Sequence, residues 1–215
     1  MDGNIRVSEN THDISEENLY ELASSLVSGY GEGYVIDERI KRKSREMKEL
    51  IDDGDCSVAM DGEKVVGFFG FKKKLDDFNG KPLIEFSYVT VLPQYRGSGL
   101  MMSLGAVAFQ KITAKYEDFV FVVYTRNKLV KETCANLGFQ TASLKDYYEK
   151  VLGERLDTRS LETIASEGWE ILTSSREDFD AAVSLVSVKH LSEEDSDLAH
   201  GNSETRQSVV DVIKN

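Results

Sequence analysis

Cysteine and proline are scarce in this chain, two of each in 215 residues, and histidine occurs three times. Cys56 and Cys134 make no disulfide framework, and the scattered histidines have no metal-ligand spacing, so no metal is expected. No apolar run is long enough to cross a bilayer, and the N-terminal stretch is acidic and polar rather than basic and apolar. Both features lead to the expectation of a cytoplasmic protein with no membrane partner. Basic residues are outnumbered 26 to 38, for a net charge of −12. That balance opposes general nucleic-acid binding and suits either a cationic partner such as an amine or plain solubility. Neither the full dinucleotide fingerprint nor a Gly-Lys-Ser/Thr loop is present, which weakens a bare Rossmann or P-loop reading.

What is present is an ordinary globular composition, 40% hydrophobic and 30% charged, on a chain long enough to bury roughly 70% of its unfolded surface. Its most informative stretch is Phe86–Ala114. The β-rich run Phe86-Ser-Tyr-Val-Thr-Val91 meets a turn at Leu92-Pro93-Gln94. Gly97 and Gly99 then open a segment with Leu100, Leu104, Val107, Ala108 and Ile112 at helical spacing. The pattern predicts strand, tight turn and helix. A first turn over Tyr95–Gly99 offers unpaired N–H groups and the positive end of a helix dipole, which suits a phosphate or pyrophosphate. The alternative is that the two glycines only relieve crowding where helix meets strand.

In chain order, Ile5, Val7 and Ser8 suggest a short strand, and Leu19, Leu22, Ala23, Leu26 and Val27 give a first amphipathic helix behind Asp13, Ser15 and Glu16. Gly29–Gly33 breaks it, and Asp37–Leu50 reads as a second helix with a modest apolar face. Its basic run Arg39–Arg45 suits a solvated helix face answered by Glu38, Glu46 and Glu49, or contact with an acidic ligand. Cys56–Met60, Lys64–Phe71 and Leu83–Val91 follow as a meander of antiparallel strands with turns at Asp61-Gly62 and Asp76–Gly80, and Gly67 and Gly70 within it allow a bulge or close approach. Phe119–Tyr124 reads as an interior strand reached by a helical crossover, and Asn127–Leu137 as a helix closed by Gly138 with Phe139 packing back. Leu144–Leu152 and Ser160–Glu167 look helical. Trp169–Leu172 reads as a short strand, Ala182–His190 as a strand completing the sheet, and Thr205–Ile213 as a terminal helix. The expected fold class is α/β, a mixed and largely antiparallel central sheet flanked by helices. Residues 1–190 form one domain with a helical insertion at 145–175, followed by an acidic extension at 191–215.

Val91-x-Pro93-x-Tyr95-Arg96-Gly97-x-Gly99-Leu100, with its core Gln94-x-x-Gly97-x-Gly99, resembles the acetyl-CoA-binding motif of the GCN5-related N-acetyltransferase superfamily. Asn127 through Leu137-Gly138-Phe139 resembles the family's second motif, at the usual separation. The likeness covers residues 5 to 143. It implies a V-shaped splay between the two central strands and acetyl-CoA as cofactor. The N–H groups of Gln94, Tyr95, Arg96, Gly97, Ser98, Gly99, Leu100 and Met101 would hold the pyrophosphate, with Arg96 assisting and Asn127 contributing from the second motif. Val89 and Val91 would pair with the pantetheine arm, and an N–H near Val91 would polarise the thioester carbonyl.

The implied activity is direct acetyl transfer to a primary amine on a small cationic molecule or peptide. Such an amine must lose a proton, and Glu85 is the first candidate base, with an outward-facing strand position as its alternative. Tyr30, Glu32, Asp37 and Tyr88 are candidate acceptor contacts, with Glu38 a further one. The family's acid tyrosine falls seven positions beyond Asn127, where this chain has Cys134. Cys134 is then either a proton donor or a small buried thiol, and Tyr124 is a second candidate acid. The altered position keeps a second reading open, a non-catalytic acyl-CoA-binding or protein-interaction module. Expected partners are acyl-CoA and an amine-bearing molecule, with no nucleic acid, and a homodimer is compatible with the sequence.

Overall fold

The computed structural model describes residues 5–8, 14–28 and 37–181. Their strands form a seven-stranded sheet in the order β1-β2-β3-β4-β5-β7-β6. Two compact units share strands β3 and β4. One is built from Met1–Lys72 with Phe86–Glu117, the other from Lys73–Glu85 with Asp118–Ser203, each taken over its described residues.

In the first unit, β1 (Ile5–Ser8) pairs antiparallel with β2 (Cys56–Asp61), which pairs antiparallel with β3 (Lys64–Phe78) across a register shift at Ala59/Met60. Helix α1 (Glu16–Ser28) begins on two glutamates, favourable at the positive end of its dipole, and buries Leu19, Leu22, Ala23 and Val27. Helix α2 (Asp37–Asp52) also begins with acids and buries Ile40, Ser44, Met47, Leu50 and Ile51. Strand β4 (Lys81–Val91) leads through a single 3₁₀ turn, Pro93–Tyr95, to α3 (Leu100–Lys115), which buries Leu100, Leu104, Ala108 and Ile112.

Two strand glycines decide how close the helices come. A Cβ on Gly67 would stand 2.8 Å from Leu104 Cδ1 of α3, and one on Gly70 would stand 2.7 Å from Leu50 Cδ1 of α2 and 2.9 Å from the Ser87 carbonyl. Residues three apart in a strand face opposite sides. Helices α2 and α3 therefore press on opposite faces of β3, and the expected close approach at both glycines is present.

In the second unit, β4 pairs parallel with β5 (Val120–Thr125) from Leu83↔Val120 to Glu85↔Val122. This is the parallel pair that the helical crossover predicts. Helix α4 (Lys128–Asn136) follows, then β6 (Gln140–Ala142) and a short helix α5 (Leu144–Asp146) that widens into a π turn at Tyr147–Leu152. Helix α6 (Thr158–Ser166) and β7 (Glu170–Ser175) come next, and β7 lies antiparallel between β5 and β6. Leu83, Val122, Tyr147 and Ile171 form one core cluster. Phe121 packs against Phe119, Phe139 and Phe179 with centroids 4.7, 6.2 and 5.0 Å apart.

Three sequence expectations shift. Strand β3 runs on to Phe78, and its turn is tighter than Asp76–Gly80, at Asn79-Gly80. Strand β7 extends to Ser175, because Thr173, Ser174 and Ser175 continue the ladder with β5 although they carry no apolar period. Strand β6 carries no sequence signal at all, since Gln140-Thr-Ala142 is short and polar and is held by its pairing with β7. The expected strand at Ala182–His190, the acidic extension and the helix at Thr205–Ile213 lie outside the described residues.

Candidate functional site

The expected strand, turn and helix are present, but the Tyr95 and Arg96 N–H groups, expected to be unpaired, donate to the Leu92 and Pro93 carbonyls at 2.9 and 3.2 Å. Gly99 caps α3 at φ 77°, ψ −3°, with no side-chain cap, and Met102 and Ser103 are the first N–H groups that close on its carbonyl, at 2.9 and 3.2 Å. The N–H groups of Leu100 and Met101 precede those bonds, as the first groups of a helix must. Gly97 also has a positive φ, 79°. A Cβ on either glycine would meet nothing within 4 Å. The crowding explanation is thereby replaced: these positions need glycine for left-handed backbone, and the space above them is open.

Side chains around the turn hold it from beneath. Tyr95 Oη donates to Asp61 Oδ2 at 2.8 Å, and the partly buried ring packs on the core. Ser98 Oγ returns to the Tyr95 carbonyl at 2.8 Å. Arg96 Nε donates to the Val91 carbonyl at 3.0 Å, and its Nη2 lies 3.5 Å from Ser25 Oγ of α1. The residue expected to assist a phosphate is thus turned toward the end of β4. Arg96 and the exposed Gln94 line an open groove with Leu92, Pro93, Glu21, Ser24, Ser25 and Ser28.

The orientation of β4 follows from one bond. Leu92 N–H donates to the Val66 carbonyl of β3 at 2.9 Å. Since polar groups alternate between the two edges of a strand, Val89 and Val91 direct theirs to the edge away from β3. The Val91 carbonyl meets Arg96 there, while its N–H faces the same side.

Tyr88, expected as an acceptor contact, is engaged with α2. Its φ is 56°, a left-handed value rare for a large side chain. Its hydroxyl donates to Glu46 Oε2 of α2 at 2.7 Å, and Lys43 Nζ lies 2.7 Å from the same oxygen and 4.6 Å from the Tyr88 ring centroid. Burial opposes ionisation of Glu46, but the bonds from Lys43 and Tyr88 outweigh it and hold the carboxyl below its usual range. Asp37 stands apart from these groups, exposed at the start of α2 between Lys41 and Tyr20 Oη, each at 2.6 Å. Those two bonds, Lys41's the larger, lower its pKa. Tyr30 and Glu32 fall outside the described residues.

The second unit contains the other candidates. Glu85 is partly buried, with its side chain 17% exposed and Oε2 2.7 Å from Lys74 Nζ. The pKa of nearby Tyr147 is raised chiefly by burial and then by the Glu85 charge. Tyr124 stacks on Trp169 at 4.5 Å and its hydroxyl meets that of Tyr148 at 3.0 Å. Burial first, and the Tyr148 bond second, push the Tyr124 pKa up. Cys134 is buried on α4, and burial pushes its thiol up to about 11. It is a neutral thiol at neutral pH. Asn127 caps α4, its Oδ1 accepting from Leu129 N at 2.9 Å and Val130 N at 3.4 Å. The sequence reading missed Glu46, Lys43 and Asp61 as partners of Tyr88 and Tyr95. The nearest signal was the alternating charge of α2, which does not say which glutamate faces inward.

Among the described residues, no helix is long and apolar enough to cross a membrane, and no cluster of three metal-ligating side chains occurs.

No protein-family model matches the chain, and no curated protein matches it. Solved structures resemble it in fold. An acetyltransferase from Streptococcus agalactiae 2603 is 15% identical over 81% of this chain and 99% of its own, with a TM-score of 0.55. PH1933 from Pyrococcus horikoshii OT3 is 19% identical over 80% and 98%, with a TM-score of 0.53. N-acetylglutamate synthase from Neisseria gonorrhoeae, complexed with coenzyme A and N-acetyl-glutamate, is 18% identical over 81% of this chain, with a TM-score of 0.50. The chain spans only 36% of that synthase's length. At these identities the likeness is one of architecture, and on it the chain has the fold of the GCN5-related N-acetyltransferases.

Proposed function

We propose that the chain is an acetyl-CoA-dependent N-acetyltransferase that acts directly on the primary amine of a small cationic molecule or a peptide. The observation that carries this reading is the start of α3. Two left-handed glycines leave open space above N–H groups that precede the first helical bonds, and no acidic side chain lies in that first turn. A diphosphate fits such a place by charge and by room. Of the N–H groups over Gln94–Met101, those of Gln94 and of Gly97 to Met101 would hold it, because Tyr95 and Arg96 donate theirs to the Leu92 and Pro93 carbonyls at 2.9 and 3.2 Å. The edge of β4 bearing Val89 and Val91 would align the pantetheine arm, and Val91 would use its N–H, because its carbonyl is engaged by Arg96. Arg96 and Asn127 are proposed to act by shaping their loops as much as by touching the cofactor.

Acetyl-CoA supplies an acyl group already activated as a thioester. The chain must orient it, donate an N–H to the carbonyl oxygen as charge builds there, and remove a proton from the amine. Glu85 is the proposed base, and Tyr124 the proposed acid in place of the buried Cys134. The thiol supports transfer without an acyl-cysteine, because a group with a pKa of about 11 is almost wholly protonated at neutral pH. Residues 1–190 as one acyltransferase domain, a cytoplasmic location and the cationic acceptor all belong to this proposal.

The test is to supply acetyl-CoA with an amine library and measure both free CoA and acylated product. Matched release of CoA and formation of an amide is expected. Tight CoA binding with no release across the library would establish a non-catalytic binding module instead, and accumulation of acylated Cys134 without amine would overturn direct transfer.

A further inference from the structure

Tyr88 has the least favourable backbone of any non-glycine residue described in β4. Large side chains rarely adopt φ near 56°, and a conformation of that kind persists only where its surroundings impose it. The groups that hold its hydroxyl are on α2. Tyr88 Oη donates to Glu46 Oε2 at 2.7 Å, and Lys43 Nζ holds the same oxygen at 2.7 Å while standing 3.4 Å from Tyr88 Oη and 4.6 Å from the ring centroid. Arg42 Nε lies 3.8 Å from the other Glu46 oxygen. The side chains of Lys43 and Glu46 are only 22% and 31% exposed, so solvent does not erase these bonds. Helix α2 is in turn seated by buried Met47, Leu50 and Ile51.

The strand itself gives this arrangement a purpose. The φ and ψ of residue 88 set the plane of the peptide that carries the Val89 N–H. Immediately before it, the Ser87 carbonyl is pressed so close to β3 that a Cβ on Gly70 would lie 2.9 Å away. Left-handed residues inside strands bend the chain and re-aim the groups that follow. We propose that Lys43, Glu46 and Tyr88 form a positioning device: α2 holds the Tyr88 phenol, the phenol holds the left-handed backbone, and that backbone aims the polar groups of Val89–Val91. The inference rests on the reading of this strand edge as the thioester-aligning surface. It assigns positioning roles to Glu46 and Lys43 and makes Tyr88 their link to the strand rather than an acceptor contact.

Two readouts test it on the full chain. In the free protein, the Val89 and Thr90 amide resonances are expected to move in both Tyr88→Phe and Glu46→Gln, because both variants release the same phenol. In turnover, each variant is expected to lower kcat about tenfold with the KM for acetyl-CoA changed less than twofold. The double variant should be no slower than either single one. Unmoved amide resonances would overturn the device. Moved resonances with wild-type kcat, or effects that multiply in the double variant, would overturn its role in alignment. Where Glu46→Gln fails to fold, Lys43→Met gives the same readouts, expected in the same direction and smaller. Failure of the donor assignment is separate, because it shows in the wild-type chain as absence of both CoA binding and CoA release, while the amide readout needs no cofactor.

Discussion

Gly99→Ala isolates the contribution of backbone conformation to the proposed donor site. At φ 77° with no atom within 4 Å of a new Cβ, the substitution introduces no clash. Its cost is the left-handed conformation alone, about 1–2 kcal/mol for an L residue, offset by about 0.4–1 kcal/mol from a stiffer unfolded chain. The net, roughly 1 kcal/mol, lowers Tm by about 2–4 °C in a chain of this size. Gly70→Ala is the contrasting case, because its Cβ would meet Leu50 and Phe68 side chains at 2.7 and 2.8 Å and the Ser87 carbonyl at 2.9 Å. Side-chain ends can shift, but a strand carbonyl cannot, and overpacking of this kind costs about 2–3 kcal/mol, or roughly 5–10 °C. Gly99→Asn separates conformation from space: asparagine tolerates the left-handed region, so stability should stay within about 0.5 kcal/mol, yet its side chain enters the open volume above the turn. Differential scanning calorimetry and calorimetric titration with CoA measure the two effects. The expected result is CoA affinity at least tenfold weaker in both Gly99 variants, with only Gly99→Ala appreciably less stable. Wild-type CoA affinity in Gly99→Asn would refute the assignment of that volume to the ligand, and equal destabilisation by Gly99→Ala and Gly70→Ala would refute the conformational argument.

The next predictions concern a helix cap, the two buried thiols and the proposed base. Asn127→Ala removes the acceptor for two N–H groups of α4 and should cost about 1 kcal/mol in a urea melt, while Asn127→Asp, which keeps that acceptor, should retain most of it. Cys134 should react slowly with iodoacetamide at pH 7.5 and faster as pH approaches 11, followed by mass spectrometry; rapid labelling at neutral pH would contradict its burial. Because burial raises the folded-state pKa of Cys134 to about 11 and of Cys56 to about 12, the folded chain keeps protons that the unfolded chain releases from about pH 9. Their stabilisation is therefore whole below pH 9 and should decline between about 9 and 12 in melts, less steeply in Cys134→Ala. Glu85→Gln should lower kcat by about 100-fold if the carboxylate takes the amine's proton, with the acidic limb of the pH–rate profile lost; an unchanged profile would leave Glu85 a structural partner of Lys74 and Tyr147.

What the sequence made legible is what neighbours along the chain decide. The apolar spacing of α1, α2 and α3, the β composition of β2 to β5, and the Gly97 and Gly99 turn are local properties, and each element stands where its own residues direct. Strand β6 was not legible, because nothing in Gln140-Thr-Ala142 favours a strand until β7 lies beside it. The site was legible to the same degree and for the same reason. Tyr88 and Glu46 are 42 residues apart, Tyr95 and Asp61 are 34, and Arg96 and Ser25 are 71. Pairings at such separations are made by packing, and no period or spacing encodes them. Arg96 carries the most consequence. Beside two glycines in sequence it suggests a phosphate ligand, yet in the fold its Nε is spent on the Val91 carbonyl. A diphosphate at the start of α3 would therefore be met chiefly by backbone N–H groups. Binding should then depend more on the left-handed geometry of Gly97 and Gly99 than on any single cationic side chain, so Arg96→Gln should weaken CoA less than Gly99→Ala does.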